Sequence, residues 1–67
     1  MLFTERFNEI LKVSHINQSE LAAAVGVSKQ AITNLKSGAS LPSLDLLCAL
    51  CRTLNVTSDY LLGLSDY

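Results

Sequence analysis

Apolar residues recur along this chain at the spacing of helices, with none of the strict alternation that marks strands. Phe3, Phe7, Ile10, Leu11 and Ser14 trace one face of a helix predicted over Thr4 to Val13. Thr4 is placed to cap it, and Glu5 puts a negative charge in the first turn, where the helix dipole favours one. After His15-Ile16-Asn17 a shorter pattern runs from Gln18 to Val25. Asn17 followed by Glu20 has the form of a capping box, which fixes where that helix starts. A third pattern, Lys29 to Ser37, is anchored by Ile32 and Leu35 and stops at Gly38. Ala39 to Pro42 reads as a loop. The fourth helix, Leu44 to Leu54, carries a predicted buried stripe of Leu44, Leu47, Cys48, Cys51 and Leu54, widened by Leu46 and Leu50. Asn55 suits a left-handed turn, Thr57 caps a short fifth helix over Ser58 to Leu62, and Gly63 ends it. The fold class is therefore all-α, with five helices.

The junction between the second and third helices is the most constrained part of the chain. Leu21 and Val25 lie one turn apart, and the small Ala22 lets a steeply crossing helix come close. Gly26 takes positive φ without steric cost, so the chain turns sharply there. Val27 packs inward and Ser28 caps the next helix. This order of residue types is that of a helix-turn-helix unit, here about 18–37. At about 100° per residue, Ile32 and Leu35 mark the buried side of the third helix, and Gln30, Thr33, Asn34 and Ser37 fall opposite. Lys29 lies on the flank. None of these outward residues is acidic or bulky and apolar. Gln and Asn pair with adenine in bidentate fashion, Lys reaches guanine, and the Thr methyl touches a thymine methyl. A solvated polar face is the bland alternative; the agreement of small residue, glycine and cap argues against it.

The segment resembles the phage-repressor and Cro-like (Xre) helix-turn-helix family. The resemblance continues through Gly38, Pro42, Leu54-Asn55-Val56-Thr57 and Tyr60-Leu61-Leu62-Gly63, nearly the whole chain. It implies a lambda-repressor-like DNA-binding domain, with the third helix entering the major groove of double-stranded DNA by its N-terminal half. By matching positions it implies contacts from Ser28, Lys29, Gln30, Thr33 and Asn34, with Gln30 and Asn34 as base readers and Ser28 and Lys29 serving phosphate as readily as base. Gln18, and with it Asn17, matches the end of the second helix that abuts the DNA backbone. Many members carry an acid two residues before the glycine that ends the third helix, paired with an arginine in helix one. Here those positions are Lys36 and Leu11, so both halves of the pair are absent together. Tyr60, Leu62, Leu64 and Tyr67 either complete the core or form an apolar patch; members often dimerise near this C-terminal region, which points to a homodimer through these residues.

Composition changes this picture little. A chain of 67 residues is expected to be one domain, 1–67, and 49% apolar content is enough for one compact core. No apolar window is long enough to span a bilayer, and charges interrupt the N-terminus where a signal peptide needs an apolar run. A cytoplasmic location is expected, with no membrane partner. The net charge of −1 weighs mildly against nucleic acid, but between Leu21 and Leu44 the charged residues are Lys29 and Lys36 alone. Non-specific affinity should be weak, because few cations are available to neutralise phosphates. Arg6 and Lys12 are expected to be solvated, with phosphate contact as the alternative.

Cys48 and Cys51 form C-x-x-C. Structural zinc takes four ligands and His15 is the sole histidine, while a redox C-x-x-C opens a helix in a βαβ setting that is missing here. Both are expected to be buried apolar packing. No cofactor, no metal and no catalytic constellation is expected: there are no paired carboxylates, no nucleophile with its base and no phosphate loop. The reading is a sequence-specific DNA-binding transcriptional regulator, a bacterial or phage repressor binding its operator as a dimer. The alternative is an antitoxin-like or protein-interaction module with weak or no DNA binding.

Overall fold

The computed structural model describes residues 2–66. Five helices follow in order: α1 (Phe3–Ser14), α2 (Gln18–Val25), α3 (Lys29–Ser37), α4 (Leu44–Leu54) and α5 (Ser58–Leu62). Side chains close four of the five N-termini. Asn17 Oδ1 accepts from Glu20 N at 2.8 Å while Glu20 Oε1 accepts from Asn17 N at 3.1 Å, the predicted capping box. Ser28, Ser43 and Thr57 accept from the backbone N–H of Ala31, Leu46 and Tyr60. Each satisfies a donor that the helix itself leaves unpaired.

All five helices feed one core of Phe3, Phe7, Leu21, Ala22, Ile32, Leu35, Leu47, Leu50, Leu54 and Leu61. Phe3 and Phe7 stack with ring centroids 5.2 Å apart. α1 lies against α3, α4 and α5, and α2 against α3 and α4, so the turn between α2 and α3 is held from both sides.

Three local expectations are corrected. α1 begins at Phe3, one residue early, with Leu2 at the cap position and no side chain capping it. Complete burial of Phe3 against Phe7, one turn on, draws it into the helix and leaves Thr4 inside the first turn. In α4 the core face is Leu47, Leu50 and Leu54; Leu44 is 81% exposed and Cys48 is exposed as well. The helix is apolar on more than half its circumference, so packing decides its rotation. Arg6 is not solvated. Its Nη1 donates to the carbonyls of Tyr60 at 2.9 Å and Ser65 at 2.7 Å, and its Cζ lies 4.4 Å from the Tyr60 ring centroid. It ties α1 to the chain beyond α5.

Candidate nucleic-acid interface

The turn is built as its residues require. Gly26 takes φ +75°, and the N–H groups of Gly26 and Val27 both donate to the carbonyl of Ala22. Ala22 is buried at the crossing and Val27 packs against the core. The chain leaves this turn through Ser28, whose extended backbone and capping hydroxyl start α3. Burial of Ile32 and Leu35 then sets the rotation of α3, and the opposite face is turned to solvent.

On that face the polar side chains are coupled to one another. Gln30 Nε2 donates to Asn34 Oδ1 at 3.1 Å, leaving Gln30 Oε1 and Asn34 Nδ2 without a partner among the described residues. The pair therefore offers an acceptor and a donor side by side. Thr33 donates its hydroxyl to the carbonyl of Lys29 at 3.3 Å and also receives a bond from Gln18 Nε2. Its methyl group is what it has left to offer. Ser37 donates to the carbonyl of Asn34 at 3.2 Å and accepts from Ala39 N at 3.3 Å, so it closes the end of α3. Lys29 is exposed at the helix start.

Gln18 has a second task that the spacing alone does not reveal. Its amide reaches from the start of α2 to the carbonyl of Lys29, at 3.0 Å, and to Thr33. It clamps the first turn of α3 to the N-terminus of α2, which positions the two helix starts relative to each other. Asn17 spends its Oδ1 on the capping box, and the Glu20 carboxylate of that box partly offsets the positive end of the α2 dipole.

Near this end the fold assembles a shallow cleft of about 470 Å³ lined by Asn8, Leu11, Lys12, Ile16, Asn17, Gln18 and Lys36. Lys12 from α1 and Lys36 from α3 thus both line the cleft beside the α2 N-terminus. Asn8 braces the cleft, donating to the carbonyls of Thr4 and Lys36, each at 2.9 Å. This is a neutral cross-link between α1 and α3. Lys12, expected to be solvated with phosphate contact as the alternative, lines the same cleft as Lys36 only because α1 packs on α3. Arg6 is consumed inside the fold and Arg52 lies on a different groove, so the three lysines are the cations left for this side.

A sequence model of the helix-turn-helix family matches residues 9–61, which contain the whole of α2, the turn and α3. The chain is also similar to an uncharacterized HTH-type transcriptional regulator, YobD, of Bacillus subtilis (strain 168). The two are 29% identical over 65 residues, covering 97% of this chain and 58% of that protein. The chain thus spans little more than half the length of that curated relative. No solved structure matches it.

Proposed function

We propose that this chain, which belongs to the Xre-like helix-turn-helix family, is a sequence-specific DNA-binding transcriptional regulator. The observation that carries the reading is the exposed amide pair Gln30–Asn34 on α3, flanked by Lys29, in a stretch that holds no acid from Leu21 to Leu44. The N-terminal half of α3 lies in the major groove. Gln30 and Asn34 read base edges, and the Thr33 methyl meets thymine. Ser28 and Lys29 serve phosphate or base, and Ser37 lies at the far end of the contact. Asn17 and the backbone N–H of Gln18 face the sugar-phosphate backbone, with Lys12 and Lys36 supplying charge beside them. YobD, of which this chain covers part, carries the name of a regulator, in keeping with this assignment.

The regulator acts as a repressor in the cytoplasm, a homodimer occluding a promoter at two half-sites about one helical turn apart. Leu64, 74% exposed, and the half-buried Leu62 form the described part of the dimer patch. Tyr60 contributes less than its position suggests, because it is occupied by Arg6 and by Glu9, whose carboxylate accepts from its hydroxyl at 3.3 Å. Tyr67 lies outside the described residues. Selection from a randomised duplex pool, sequenced at low and at moderate salt, tests the whole reading. Enrichment of a two-fold-symmetric site is the expected result. Absence of any retained duplex, even at low salt, would instead favour a protein-interaction module.

A further inference from the structure

The C-x-x-C pair was expected to be core, and of the two only Cys51 packs against it. Cys48 is exposed and Cys51 half-buried, and both thiols are free. Three residues apart on α4, they share one face, with Cβ atoms about 5–6 Å apart in such a pair. That face is one wall of an open groove of about 800 Å³, which Leu44, Leu47, Arg52 and Leu62 also line. Burial, and after it the neighbouring Cys48, push the Cys51 thiol up, so a metal ion has to displace a proton held more firmly than usual. Neither histidine nor carboxylate lines the groove. Among the described residues no three His, Cys, Asp or Glu side chains gather to hold an ion. Tetrahedral zinc therefore lacks its remaining donors. The donor set instead matches a soft ion satisfied by two thiolates, and thiolate ligands select Cu(I) among the biological metals.

We propose that Cys48 and Cys51 form an intrachain, two-coordinate site for a soft monovalent metal ion of the Cu(I) class. Binding forms two sulfur–metal bonds and releases one proton from each thiol. The ion stays in its +1 state, so no oxidant or reductant enters. The bis-thiolate complex carries one net negative charge. Arg52, exposed in the same groove and without an ion pair among the described residues, offsets that charge. Leu47 and the half-buried Leu62 line the groove beside the two cysteines. The cysteines lie off the DNA-facing side, and the metal titration reads them without DNA, although the groove shares Leu62 with the proposed dimer patch.

The test is an anaerobic titration of the reduced protein with Cu(I) held by a chromogenic chelator. The expected result is removal of one Cu(I) per chain from the chelator, with a new ultraviolet sulfur-to-copper absorption. Cys48→Ser should lose this capture while keeping its helical circular dichroism and melting temperature, since Cys48 is exposed. Cys51→Ala should lose it too. Capture by Cys48→Ser equal to that of the unaltered chain would overturn the proposal. So would one Cu(I) shared between two chains, which would make the thiols intermolecular ligands.

Discussion

Arg6 and Gln30 illustrate two kinds of side chain that a sequence reading treats alike. Arg6 donates to carbonyls 54 and 59 positions away and stacks on Tyr60. Its side chain is 17% exposed, so these bonds are only partly screened. Arg6→Ala should destabilise the fold by roughly 2–4 kcal/mol, the sum of charge-assisted bonds and a cation–π contact. Arg6→Lys should recover only part of that, because one ammonium cannot reproduce the planar fork. Urea melts of both variants measure it. Asp66, 98% exposed and 3.9 Å from Arg6, should leave the melt unchanged when replaced by Asn. Gln30 and Asn34 are the converse case. Each Ala variant should leave stability nearly unchanged and weaken specific DNA binding by about 1–3 kcal/mol per lost bidentate contact. Specific affinity unchanged from that of the unaltered chain in both variants would refute the recognition-face assignment. The outward position of Gln30 and Asn34 follows from helix geometry once Ile32 and Leu35 are inside. The role of Arg6 does not, since its partners become neighbours only when α5 docks on α1.

At the scale of elements, termini were more legible than rotations. The caps of α2, α3 and α5 and the left-handed turn at Asn55 rest on bonds between residues two to four positions apart, and local chemistry identifies those. Gly26 and Gly63 both take positive φ, yet their surroundings differ. A Cβ at Gly26 meets nothing within 4 Å, whereas one at Gly63 comes within 3.0 Å of Leu2. Gly26→Ala should therefore cost only the conformational penalty of about 1–2 kcal/mol. Gly63→Ala should cost more, because Leu2 must also move. Thermal denaturation of the two variants side by side tests the order, and a smaller loss at Gly63 would contradict this packing. α4 is where the pattern misled. Leu44, Leu46, Leu47, Cys48, Leu50, Cys51 and Leu54 leave its orientation open, and the burial of Leu50 against the other helices settles it, turning Leu44 and Cys48 outward.

The distribution of charge belongs to the whole molecule. The chain holds five cations, of which Arg6 is tied to the C-terminal segment and Arg52 faces the α4 groove. Lys12, Lys29 and Lys36 remain on the side of α2 and α3. Each phosphate neutralised contributes about −0.9 to the slope of log affinity against log salt, so three lysines give about −2.7 per protomer, and about −5.4 for a dimer. A salt titration of specific binding checks this. Replacing Lys12 or Lys36 by Ala should flatten the slope by about 1 per protomer without changing the preferred site. A slope unaffected by either change would remove the cleft beside the α2 N-terminus from the contact surface.

What the sequence determined by itself is the part governed by short range. Helix spacing, caps and the small-residue turn at Ala22, Gly26 and Ser28 specify five helices and a helix-turn-helix unit. The outward face of α3 follows from them. Tertiary structure alone decided which apolar residues of α4 are core, which cation is consumed inside the fold, and that Gln18 clamps α3 while Lys12 and Lys36 line one cleft. These depend on residues distant in sequence competing for the same buried volume and the same unpaired carbonyls. No local pattern ranks such competitors; the packing of all the helices together does.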